Sequence, residues 1–253
     1  MDRAAATAFG ILTPRTLMPR RFVIFSMPRS GSTLLTTLVN SHPLITCDGE
    51  VFNLDNQAAG PSRREHAPHA FLEARAAKAR LQGAKVYGFK LMSYQMARYL
   101  SPDFLLELHQ RGFQIIYLWR RDMLSQAISA EQAAASAWEV TTDASATFER
   151  TAVDPRRVIA GLERCEADLL LCRSQAARLP TIELTYEADL RSPDDRDRTM
   201  GRLLGALGVP PAPLTTALIA TAPRDPLARV TNPDEIRDAV VAGGWGHLLK
   251  RDQ

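Results

Sequence analysis

The chain has 253 residues, 31 basic and 28 acidic side chains for a net charge of +3, and 45% hydrophobic against 23% charged content. This suits one globular unit with a sizeable core, and the near-balanced charge argues against nucleic-acid binding by bulk electrostatics while leaving room for a local basic pocket. Three cysteines, Cys47, Cys165 and Cys172, give no disulfide framework, and no apolar run approaches the ~20 residues of a membrane span, so the chain reads as cytoplasmic with no membrane span.

Residues 1–20 are expected to be a flexible tail, because Asp2 precedes their short apolar stretch and no clean cleavage site follows it. Residues 21–253 then form a single domain. A strand at 22–26 leads into a turn holding Pro28, Arg29, Ser30, Gly31, Ser32 and Thr33. A helix over 33–40 follows, closed by Ser41-His42-Pro43. A short strand is predicted at 44–47. Residues 55–83 are polar and alanine-rich, broken at Gly60-Pro61, with a helix ending near Gly83. The strand at 85–90 delivers Lys90 at its carboxyl end.

A helix over 102–111 stops at Gly112. The run FQIIYLW at 113–119 is the clearest buried strand, with Arg120, Arg121 and Asp122 at its end and a helix over 123–137 beyond. A surface loop is expected at 138–154. Asp154 as N-cap and Pro155 at the first helical position start a long helix to about 178. A strand at 181–185 runs into Tyr186-Glu187, a helix at 196–207 closes at Gly208, and 209–253 reads as short polar turns.

Strands alternating with helices predict an α/β, P-loop-like three-layer fold: a central, mainly parallel sheet flanked by helices on both faces. Ligands of such sheets sit beyond the carboxyl ends of the strands. Arg29, Lys90, Arg120 and Tyr186 all fall there, so one rim gathers three cations and a phenol.

The first turn is an anion cradle: a strand, small residues and a helix N-terminus. It resembles a P-loop without the Walker lysine, since Gly31-Ser32-Thr33 stands where GKS or GKT would. That argues for an anion other than a magnesium nucleoside triphosphate. Arg29 adds a forked cation, although a surface arginine on a plain turn fits the same residues. In LWRRDMLSQAIS, Arg120 and Ser129 can face one anion, and Arg121 or Ser125 could substitute. The plainer reading makes Asp122 a helix cap and leaves the arginines solvated. No Cys/His spacing points to a metal.

Several segments in this order resemble the bacterial sulfotransferase family: FVIFSMPRSGSTLL, NSHPLITCDGEVFN, GFKLM, IIYLWRRDMLSQAIS, IELTYEADLRSP and APRDPLARVTNPDEI. The likeness is nearest to carbohydrate sulfotransferases of the nodulation-factor and lipopolysaccharide type. It covers roughly residues 21–240 and is poor over 55–83 and 136–155. The resemblance implies transfer of the sulfuryl group of 3′-phosphoadenosine 5′-phosphosulfate (PAPS) to an acceptor hydroxyl, as on a carbohydrate, directly and in line, with no metal. A P-loop kinase acting on a small molecule is the alternative.

By motif, Arg29, Ser30, Gly31, Ser32 and Thr33 would hold the 5′-phosphosulfate, Arg120 and Ser129 the 3′-phosphate, and Tyr186 would lie near the adenine. Lys90, with Arg29, would offset charge on the bridging oxygen. Three departures stand out. Animal cytosolic members carry lysine in place of Arg29, their histidine base is replaced by Met92 and Ser93, and the doubled arginine leaves Arg120 and Arg121 both open. Glu50, before Val51-Phe52, is then the candidate base, with His42 as its rival. Arg224 and Arg229 lie in a C-terminal segment that in the family often folds over the nucleotide, and Trp138 and Trp245 could stack on a sugar face.

Overall fold

The computed structural model describes residues 19–53, 67–136, 142, 147–219 and 222–250. The expected tail lies outside the described residues except for Pro19 and Arg20. Trp138 lies outside them too, as do residues 55–66 of the first expected loop and residues 138–141 and 143–146 of the second.

Among the described residues, five strands form one sheet: β1 (Arg20–Ser26), β2 (Ile45–Glu50), β3 (Val86–Met92), β4 (Phe113–Trp119) and β5 (Thr181–Thr185). Their order is β2-β3-β1-β4-β5, and every pairing is parallel. The helices are α1 (Ser32–Asn40), α2 (Pro68–Leu81), α3 (Ser93–Tyr99), α4 (Phe104–Gln110), α5 (Met123–Ser136), α6 (Pro155–Ala176), α7 (Pro193–Leu207) and α8 (Pro233–Ala242).

The central strands β1, β3 and β4 carry long apolar runs because both sheet faces are covered there. Alternation along β1 divides the core. Val23 and Phe25 join Tyr87, Phe89, Ile115 and Tyr117 under α2, α4 and α6. Phe22 and Ile24 join Ile116, Leu118 and Leu184 under α1 and α7. A third cluster, with Leu124, Ile128, Val158, Leu162, Ile236 and Val240, binds α5, α6 and α8 together. Fully burying each such side chain contributes about 1.5–3 kcal/mol.

Several expectations need correction, among them β2, which runs to Glu50 and does not end at 47. β3 runs to Met92, so Lys90 sits two residues inside the strand and not at its end. α7 starts at Pro193 and not at 196, because the Ser192 hydroxyl accepts the Asp195 N–H at 3.1 Å and caps it there. The 209–253 segment is not only turns, since it holds α8.

The topology decides where a ligand belongs. The chain leaves β1 toward β2 and leaves β4 toward β5, on opposite sides. A crevice therefore opens beyond the carboxyl ends of β1 and β4, and both arginine motifs flank it.

Candidate active site

The turn after β1 is fixed from within. The Ser30 hydroxyl is fully buried and donates to the Met27 carbonyl at 2.8 Å. Ser30 thus shapes the turn, and only its backbone N–H remains for a ligand. The Gln126 amide of α5 donates to the Pro28 carbonyl at 2.9 Å. Arg29 takes a left-handed backbone with φ of 61°, and Gly31 follows at 93°. A Cβ on Gly31 would lie 2.5 Å from the Tyr186 ring, so only glycine lets the phenol close on the turn. Ser32 and Thr33 then open α1.

Arg29 does not fold back over its own turn. Its Nε donates to the Ser129 hydroxyl of α5 at 2.9 Å, joining residues 100 apart in sequence. Arg120 comes to the same place from β4, with its Nη1 donating to the Arg29 carbonyl at 3.4 Å. Its guanidinium lies 4.8 Å from the centre of the Tyr186 ring. Burial, then the neighbouring Arg120 charge, pull the Arg29 pKa below its ordinary value. Two guanidiniums crowded together at a strand-end crevice are what a dianionic ligand would relieve. Of the doubled arginines, Arg120 faces the cradle and Arg121 is exposed.

On the other flank, Lys90 is buried and donates to the Thr33 hydroxyl at 3.3 Å, at the N-terminal turn of α1. The same ammonium meets Glu50 Oε1 at 3.1 Å. Glu50 Oε2 accepts from Gln95 at 2.9 Å, Tyr94 at 3.0 Å and Asn53 at 3.3 Å. A register shift between Asp48 and Glu50 ends β2 and turns Glu50 toward Lys90. Away from the cradle, Glu50 lines a surface cleft with Asp48, Gly49, Val51, Phe71 and Arg75. Asp48 is held there by Arg75 at 2.5 Å and by the Tyr87 hydroxyl at 2.8 Å.

His42 is in the wrong place to be a base. It lies beyond the far end of α1, nearly fully buried. Its Nδ1 accepts the Leu44 N–H at 3.1 Å, so the proton is on Nε2, which donates to the Pro210 carbonyl at 3.0 Å. Arg229 is buried and donates to the Pro223 carbonyl at 2.7 Å, while Arg224 is exposed. Trp245 packs against the third core cluster.

Sequence reasoning missed Tyr94 and Gln95, whose signal was the helix-forming stretch directly after β3. It also missed Glu187. This carboxylate accepts the backbone N–H of Arg121 at 3.0 Å and of Asp122 at 3.1 Å.

Comparison with known proteins agrees with the motifs. Residues 20–114 match the model of the Sulfotransferase family, a span that takes in the cradle, Glu50 and Lys90. The chain is 33% identical over 129 residues to Nodulation protein H of Rhizobium meliloti (strain 1021), covering 48% of this chain and 51% of that protein. It is 29% identical over 153 residues to Nodulation protein H of Rhizobium tropici, covering 59% and 58%. The matched stretches thus span a little over half the length of these relatives. A solved sulfotransferase of Alicyclobacillus acidocaldarius aligns with a TM-score of 0.48 at 15% identity, over 93% of this chain and 97% of that one. The sulfotransferase domain of the Synechococcus PCC 7002 olefin synthase aligns with a TM-score of 0.43 at 17% identity, over 92% and 89%. The family model and the two nodulation-protein relatives bear out the resemblance to bacterial sulfotransferases.

Proposed function

We propose that this protein moves the sulfuryl group of PAPS to a hydroxyl of a carbohydrate or glycoconjugate acceptor. The observation that carries the reading is the pair of flanks on one cradle. Arg29, Arg120 and Ser129 gather on one side, and the Lys90–Glu50 pair stands on the other. The first suits a nucleotide phosphorylated at its 3′ position, the second a proton transfer beside a transferring group.

In this reading the backbone of 30–33 and the hydroxyls of Ser32 and Thr33 hold the 5′-phosphosulfate. Arg120 and Ser129 hold the 3′-phosphate, and Arg29, which the motif assigned to the 5′-phosphosulfate, is drawn to that side by its bond to Ser129. Tyr186, beneath Arg120 and against Gly31, lies toward the adenine. The acceptor enters from the cleft lined by Phe71 and Arg75. Glu50 takes the hydroxyl proton through Oε1 as the acceptor oxygen bonds to sulfur and the bond from sulfur to the phosphate oxygen breaks. Lys90 offsets the charge that builds on that leaving oxygen. The products are a sulfate ester and adenosine 3′,5′-bisphosphate. A cytoplasmic site of action is part of this reading and is supported by the three free cysteines.

The test is an acceptor screen with sulfur-labelled PAPS, run on the parent protein and on Glu50→Gln. The parent should label a hydroxyl-bearing glycan. The variant should lose about 100-fold or more in turnover, the range for removing a general base, and keep its affinity for adenosine 3′,5′-bisphosphate. Unchanged turnover in the variant would remove Glu50 from the base role.

A further inference from the structure

Glu187 faces the arginine that the proposed reading assigns to the 3′-phosphate, and its bonds are unusual for an acidic residue beside an anion site. Its two carboxylate oxygens each take one backbone N–H of the turn after β4, Oε2 from Arg121 and Oε1 from Asp122. Oε1 also lies 3.8 Å from Arg120 Nε. That nitrogen is buried and has no hydrogen-bond partner. The side chain of Glu187 is only 11% exposed. The turn it holds leads directly into α5, where Asp122 accepts the Ser125 N–H at 2.8 Å. Glu187 therefore clamps the exit of β5 to the exit of β4.

The neighbouring Tyr186 supports the guanidinium of Arg120 from its face. With Glu187 along the Nε edge and the Arg29 carbonyl at Nη1, the guanidinium is framed by fixed groups. Its Nη2 lies 4.0 Å from Asp122 Oδ2, too long for a hydrogen bond, so that edge can still donate to a ligand. A carboxylate that merely repelled phosphate would be a defect here. One that spends both oxygens on backbone N–H groups has a structural task that a neutral side chain performs poorly.

We propose that Glu187 is a positioning residue for nucleotide selectivity: it aims Arg120 so that the site distinguishes a 3′-phosphorylated adenine nucleotide from one lacking that phosphate. The inference rests on the reading that Arg120 meets the 3′-phosphate. Calorimetric titration of the full chain with adenosine 3′,5′-bisphosphate and with AMP separates the two claims. The ligands differ only in the 3′-phosphate, so a general loosening of the fold lowers both affinities, whereas a misaimed Arg120 lowers only the first.

The parent should prefer the bisphosphate, and Arg120→Ala should cut that preference by about tenfold or more. If either fails, the reading of Arg120 falls and the inference falls with it. If both hold, Glu187→Ala should cut the preference by about tenfold, the scale of one charge-assisted hydrogen bond, and leave AMP affinity unchanged. Glu187→Gln, which keeps the shape but offers one acceptor oxygen for two N–H groups, should cut it too. It serves as the test if the alanine variant does not fold. An unaltered preference in a folded Glu187 variant overturns the proposal. So does tighter bisphosphate binding, which would mark the carboxylate as a competitor of the ligand.

Discussion

Arg29 carries the cost of the cradle. A non-glycine residue in the left-handed region costs about 1–3 kcal/mol, and such strain persists where surrounding contacts over-determine it. Here the Pro28 and Arg29 carbonyls are both held from across the crevice, by Gln126 and Arg120. Gly31 has less room still. Gly31→Ala would place a methyl against the Tyr186 ring at a φ of 93°. It should destabilise the protein by about 1–3 kcal/mol in urea melts and weaken nucleotide binding as Tyr186 is displaced. Stability and binding equal to the parent would show that the ring is not seated on the turn. The turn itself was legible in the sequence, because glycine and hydroxyl residues between a strand and a helix have few other uses. The bond from Arg29 to Ser129 was not legible, since it depends on how α5 packs across the sheet.

At the scale of elements, burial decided what could be read. β4 and β5 match their predicted bounds because each is a clear run ended by a change in composition. β2 was cut short at 47 because Asp48 and Glu50 look like a turn, yet both pair with β3, opposite Phe89 and Lys90. Propensity yields there to tertiary pairing. α8 was passed over although Asn232-Pro233 and the acids at 234 and 235 are ordinary helix-start signals; its apolar residues, Ile236 and Val240, have meaning only against α6. Central-strand pairing makes its own prediction. Gly88 of β3 lies opposite Phe22 of β1, and a Cβ there would come within 2.2 Å of the ring. Gly88→Ala should cost about 1–3 kcal/mol of stability by overpacking, read as a lower urea midpoint. A midpoint equal to the parent's would mean that the ring moves aside freely.

For the molecule as a whole, the strand order brings together parts that lie far apart in the chain. The cradle, Glu50 and Lys90 come from the first 90 residues, Arg120 and Ser129 from the middle, and Tyr186 and Glu187 from beyond 180. Only the crevice between β1 and β4 reconciles them, and it does so with cations on both sides of one helix N-terminus. The absence of a lysine at Ser32 separates this cradle from one built for a magnesium nucleoside triphosphate. Thermal melting with ligand in the presence of a chelator tests that claim most directly. At a hundred times its dissociation constant, a ligand that binds only the folded state adds about 2.7 kcal/mol. Adenosine 3′,5′-bisphosphate with chelator present should raise the melting temperature by several degrees, while ATP with magnesium should not. Stabilisation by magnesium ATP and none by the bisphosphate would contradict the account.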